Sequence, residues 1–124
     1  MKKIIAVADA PAAIGPYSQA VNVNGLVFVS GQLPINPADG SMPETIAEQT
    51  RQSLKNIGAI LAGAGLAFND VVKTTVLLSD IADFGAMNEV YAEFFPADKP
   101  ARVCYQVAAL PKNAKVEIDA FAGR

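Results

Sequence analysis

Residues 99–121 read KPARVCYQVAALPKNAKVEIDAF, two alternating segments joined by a loop that holds Pro111. In an extended strand successive side chains point to opposite faces. Over residues 101–107, Arg102, Cys104 and Gln106 therefore share one face, and Val103, Tyr105 and Val107 share the other. Over residues 115–121 the same rule sets Val116, Ile118 and Ala120 against Glu117, Asp119 and Phe121. Paired as a hairpin about Pro111, the two strands place Glu117 opposite Cys104, with Arg102 on the same sheet face. A slip of one residue would put these groups on opposite faces.

Upstream of this stretch, Asp83 can cap a helix that carries Phe84, Met87, Val90, Tyr91 and Phe94 on one side, with Pro96 beyond its end. Val71 to Ser79 is rich in β-branched residues and reads as a strand. Thr45 with Glu48 fits a capping box. A helical stripe of Ile46, Thr50, Leu54, Ile57, Leu61 and Ala64 follows, stopped by Gly63 and Gly65. Gly31 to Pro43 holds Pro34, Pro37, Gly40 and Pro43, a loop long enough to suggest function. Asn24-Gly25, between segments 18–23 and 26–30, is the pair favoured in a type I′ hairpin turn. Ala10 to Tyr17 reads as a loop, and residues 2–7 as an edge strand behind two lysines. The order β-β-β-α-β-α-β-β predicts one α+β domain over residues 1–124, with two helices on one face of a mixed β-sheet. The other face is left uncovered by this chain.

Composition narrows the function. A chain of 124 residues is one domain's worth. Its net charge of −2 indicates no general phosphate-binding surface. The single Cys forms no internal disulfide. No apolar run reaches the roughly 18 residues of a membrane span, and the apolar run after Met1-Lys2-Lys3 ends at Asp9, too soon for a secretory segment. A cytoplasmic protein is expected. The absence of His removes the commonest general base and the commonest zinc ligand, and Ser-His-Asp, Cys-His and zinc-hydrolase chemistries go with it. The apolar share is 52% without counting Gly, and 18% of residues are charged. An average domain has about 45–50% apolar residues with Gly included and about 25% charged. The surplus predicts surface that faces another subunit.

Several residues could carry chemistry. Arg102 is one of three Arg, and guanidinium offers a planar fork of donors that matches a carboxylate two-to-two. It is either half of a structural pair with Glu117 across strands, or an anion-binding group beside a carboxylate left free for proton transfer. Cys104 reads as a small core residue, because no His can activate it. Tyr17, after Gly15-Pro16, is a hydroxyl donor in a site or an amphipathic surface residue. Ser30-Gly31-Gln32 is a small anion nest or a plain strand terminator. Asn88 is a site amide or a solvated helix residue. The stripe of Phe84, Met87, Tyr91 and Phe94 is core packing. Gly63-Ala64-Gly65 lacks the strand-first context of a dinucleotide fingerprint, and neither a P-loop nor metal-ligand spacing occurs.

Taken together, these motifs resemble one family. Residues 100–112, PARVCYQVAALPK, followed by Val116-Glu117-Ile118, look like the signature of the RidA (YjgF-type) family. Ile14-Gly15-Pro16-Tyr17-Ser18-Gln19-Ala20 and Val29-Ser30-Gly31-Gln32-Leu33-Pro34 resemble its N-terminal motifs, and Phe84, Asn88, Val90, Tyr91 and Phe95 match its second helix. The resemblance covers essentially the whole chain. It implies a chorismate-mutase-like α+β protomer, assembled as a homotrimer with clefts between subunits. It also implies hydrolytic deamination of 2-imino acids and their enamine tautomers, such as 2-aminoacrylate released by pyridoxal-phosphate dehydratases, with no cofactor in the deaminase. On that reading Arg102 grips the substrate carboxylate and the Cys104 backbone carbonyl accepts from nitrogen. Glu117 moves the proton, while Tyr17, Ser30, Gly31, Phe84 and Asn88 line the cleft. A non-catalytic module that binds 2-keto acids or related metabolites is the alternative. A nucleic acid partner is disfavoured by the acidic balance and the missing His.

Overall fold

A computed structural model describes all 124 residues. The strands are β1 (Lys3–Ile5), β2 (Ala20–Val23), β3 (Leu26–Gln32), β4 (Val71–Leu78), β5 (Ala101–Gln106) and β6 (Val116–Gly123). The helices are α1 (Ile46–Gly63) and α2 (Phe84–Phe94). This is the order the sequence predicts, and it gives the α+β architecture that the resemblance implies. The strands form one mixed sheet in the order β1-β2-β3-β6-β4-β5. Every neighbouring pair is antiparallel except β4 and β5.

Local chemistry sets the elements. Asn24 and Gly25 turn β2 into β3 with φ of 52° and 84°, as a type I′ turn requires. Thr45 Oγ1 accepts from the Glu48 amide at 3.2 Å, which caps α1. The Glu48 carboxylate pairs with Arg51 instead of closing a capping box. At the other end Leu66 N donates to Leu61 O and Gly65 N to Ala62 O, with Gly65 at φ 75°, a Schellman stop. Asp83 makes no cap for α2; Asp80 instead accepts from Ala82 N and caps the short turn ahead of the helix.

Both helices lie on one face. Leu54, Ile57, Ile60 and Leu61 of α1 and Met87 of α2 pack with Val27, Val29, Val76, Leu78, Val116, Ile118 and Ala120 into the core. Buried polar residues of α1 fix the loops around it. Asn56 Nδ2 donates to the carbonyls of Leu33 and Ile35. Gln49 bridges Pro43 O and Lys115 N.

The pairing of the last two strands differs from expectation. β5 and β6 are not a hairpin, because β4 lies between them. Across β4, Thr74 pairs with Arg102 and Ala120, Val76 with Cys104 and Ile118, and Leu77 with Tyr105 and Glu117. Arg102 and Cys104 therefore face the helices, and Glu117 faces the open side. The physical reason is the crossover. A strand–helix–strand crossover returns its second strand parallel to the first; α2 brings β5 back beside β4 at the outer edge, while the crossover through α1 leaves a gap between β3 and β4. The position next to β3 is left to β6, whose Val116, Ile118, Ala120 and Ala122 are fully buried.

Candidate active site

Two separate clusters hold the residues singled out from the sequence. The first surrounds Arg102 on the sheet edge. Its Nη1 donates to Asn88 Oδ1 on α2 at 2.7 Å. Its guanidinium carbon lies 4.8 Å from the Tyr91 ring centre and 5.5 Å from that of Phe84, a cation–π seat. Tyr91 is held in turn, its hydroxyl 2.7 Å from Thr74 Oγ1 in the core. Burial raises the pKa of that hydroxyl, so it stays protonated.

Arg102 has no carboxylate partner. The three ion pairs of the chain are Arg51–Glu48, Arg51–Glu93 and Arg124–Asp70. The structural Arg102–Glu117 pair is thereby excluded within one protomer, and most of the guanidinium donors remain available. A cavity of about 370 Å³ adjoins them, lined by Asn88, Tyr91, Ala92, Lys99, Pro100 and Arg102. Cys104 sits two residues along on β5, half-buried. Burial pushes its thiol pKa up, against a smaller opposing pull from Arg102, which makes it a poorer nucleophile.

The second cluster lies on the open face, around Glu117. This carboxylate is half-buried and accepts no hydrogen bond from the rest of the chain. Burial raises its pKa above the usual Glu value, and neighbouring Asp119 raises it further. Gly31 makes room for it, since a Cβ there would overlap the Glu117 carboxylate. Ser30 and Gly31 together oppose one residue of β6, because the register shifts between Val29 and Gln32. Such a bulge re-aims side chains locally.

β3 runs through Ser30 and Gly31 and ends at Gln32, two residues later than the sequence segment, and the Ser30 amide is spent on Gln19 O rather than left free for an anion. Ser30 Oγ donates to Ser18 O at 2.6 Å. Gln19 ties the loop before Tyr17 to β2, accepting from Val7 N and donating to Val7 O and Pro11 O. Tyr17, 52% exposed, then lines a cavity of about 380 Å³ with Ser30, Gly31, Leu33, Pro111 and Glu117. A smaller cavity of about 110 Å³ lies on the other side of Glu117, lined by Gly31, Thr75, Leu77, Glu117 and Asp119.

The structure thus gathers Tyr17, Ser30, Gly31 and Glu117 in one place and Phe84, Asn88, Arg102 and Cys104 in another. Three contributors escape the sequence reading. Tyr91 reads as core, yet it carries Arg102; Thr74 and Asp119 read as ordinary strand residues. The signal for Tyr91 and Thr74 is the strand–helix–strand order of β4, α2 and β5, which makes β4 and β5 neighbours and lets Thr74 stand beside Arg102. Asp119 stands beside Thr75 through the separate pairing of β4 with β6, for which the sequence carries no local signal. Chemically, one cluster offers an anion grip and the other a carboxylate disposed to take a proton.

Known proteins resemble the chain closely. The profile of a family described as Endoribonuclease L-PSP matches residues 7–123. The 2-iminobutanoate/2-iminopropanoate deaminase of Bos taurus is 55% identical over 98% of this chain and 90% of its own length. The crystal structure of the YjgF gene product from E. coli superposes with a TM-score of 0.96 at 49% identity, covering 98% of each chain. E. coli TdcF with bound serine superposes at 0.95 and 48% identity, again over 98% of each chain.

Proposed function

The chain belongs to the Endoribonuclease L-PSP family, that of RidA and YjgF, and from this membership we propose that it hydrolyses 2-imino acids to 2-keto acids and ammonia. The observation that carries the proposal is the placement of two unpaired groups. Arg102 and Glu117 lie on opposite faces of one sheet, and neither has an ionic partner. One site that uses both needs two copies of the chain. The open face favours that assembly, since Phe28, Phe121, Val103 and Tyr105 are all exposed on it. We assign a homotrimer in which the β5 edge of each protomer meets the open face of the next, with three clefts between subunits.

In such a cleft Arg102 grips the carboxylate of the imino acid and fixes its orientation. The Cys104 backbone carbonyl accepts from the iminium nitrogen. Water attacks C2 and forms the C–O bond while Glu117 takes its proton. Glu117 then returns a proton to nitrogen. As the C–N bond of the carbinolamine breaks, the C=O bond forms and the hydroxyl proton passes back to Glu117, so that ammonia leaves and the 2-keto acid remains. No step draws on a cofactor. A positioned acid–base group contributes roughly 10² to 10⁴-fold, a useful gain for imines that already hydrolyse in water. The compartment assigned is the cytoplasm; no helix is long and apolar enough to cross a membrane.

The test is a coupled assay. A dehydratase releases 2-aminoacrylate, and keto-acid formation is followed with and without this protein. The expected result is faster keto-acid release, lost in Arg102→Ala while its assembly and melting temperature persist. Full activity in that variant would overturn the assignment. The serine bound to E. coli TdcF favours a second reading, a metabolite-binding module without turnover. Ligand binding by a chain that leaves keto-acid release unchanged would select it.

A further inference from the structure

Glu117 is a wall between two cavities. The outer one, about 380 Å³, holds Tyr17, Ser30 and Pro111 and is large enough for a small imino acid. The inner one, about 110 Å³, has ample room for water. Gly31 and Glu117 are common to both. The far side of the inner cavity is Asp119, on the same strand face as Glu117 two residues on. Asp119 Oδ1 accepts from the Thr75 amide at 2.9 Å. That bond pins the Asp119 side chain against β4 at the edge of the cavity. Glu117 has no donor of its own, and burial followed by the neighbouring Asp119 raises its pKa, which makes it the proton acceptor.

We propose that Asp119 is a positioning residue for imine hydrolysis: pinned by Thr75, it flanks a water-holding cavity behind Glu117 and acts on substrate only through Glu117. The proposal rests on the deaminase reading above and extends it to where the attacking water waits. The like charge of Asp119 keeps a proton on Glu117 to higher pH than burial alone would. That brings the base closer to working pH, where proton transfer in both directions is most effective. In the proposed cleft the partner subunit's Arg102 also faces this carboxylate and opposes the rise; other titratable groups on this face are few. Lys73 on β4 stands opposite Phe121, and Tyr105 on β5 lies beside Leu77. Lys73 makes no ion pair with either carboxylate. The β3 bulge contributes only Ser30 and Gly31, and Tyr17 lies across the outer cavity.

The deciding variant is Asp119→Asn, which keeps the oxygen that accepts from Thr75 and removes only the charge. Two readouts are taken on the assembled protein: the pH profile of kcat/KM in the coupled assay, and the titration of the Glu117 side-chain carboxyl followed by carbon NMR. The rate rises with pH as Glu117 loses its proton, so removing the neighbouring charge should move that limb to lower pH. The Glu117 titration should move the same way, with the plateau rate changed by less than about 10-fold. A limb and a titration that both stay in place would overturn the role of Asp119, as would a titration that moves while the limb does not. A wild-type chain without imine turnover would overturn the deaminase reading and this role together. Turnover with an unmoved limb overturns the role of Asp119 alone.

Discussion

Ile118 and Glu117 are neighbours on β6, yet the faces they look onto differ in kind. The face below Ile118 is complete within one chain. α1 and α2 cover it, and its strand residues are buried among Leu54, Ile57 and Met87. The face of Glu117 is left open. Phe28 and Phe121 meet edge-to-face there at 5.0 Å, each 36% exposed, and Tyr105 is 50% exposed. The difference teaches that stability and chemistry are separated by one residue of strand phase. Even positions of β6 hold the fold, while odd positions carry a half-buried, unpartnered carboxylate and exposed apolar surface. The cation and the acid of the site contrast in the same way. Arg102 is braced by Asn88, Tyr91 and Phe84, whereas Glu117 is given space and a cavity rather than partners.

Substitutions along this strand can break that contrast or sharpen it. The largest effect is expected for Glu117→Gln, a loss of about 10² to 10⁴-fold in kcat, with no loss of melting temperature because a desolvated, unpartnered charge is removed. A variant that unfolds instead would place Glu117 with the structural residues. One position on, Ile118→Ala should do the opposite, lowering stability by about 2–5 kcal/mol in denaturant unfolding. The fraction that stays folded should keep its turnover number. The mildest change in the protomer is expected for Phe121→Asp, which puts a charge on the open face. Its effect should appear as dissociation in sedimentation analysis and loss of imine turnover, while far-ultraviolet dichroism stays native. An intact trimer in that variant would show that the open face is not the interface.

How legible the molecule is in its sequence depends on the range of the interaction. Elements governed by local rules are read closely. Asn24-Gly25 makes its turn, Gly65 stops α1, and the β-branched run at 71–78 is a strand. The site residues are readable as types, because an Arg and a Glu stand out on alternating segments. Their mutual placement is not. Pairing β5 with β6 treats chain proximity as spatial proximity, and α2 overrules it by carrying β5 over to the far side of β4. The burial pattern held a clue. β6 has four fully buried small or aliphatic residues, as a central strand does, whereas β5 points Arg102, Cys104 and Gln106 toward the helices, as only an edge strand tolerates. Tyr91 is hidden for another reason. An aromatic at helical spacing looks like core, and it is core on one side; only the fold reveals that its ring also carries a cation.

Gly31 draws one last consequence from that arrangement. Its φ is not in the left-handed region, so the backbone there does not demand glycine. What a side chain there would displace is the carboxylate of Glu117, so glycine is needed for the position of that group rather than for the fold. A saturation library at this codon, selected for growth under imine stress, should therefore return a single survivor, and the second-site revertants of a Gly31→Ala parent should map to the strand across from it rather than to the loop beside it.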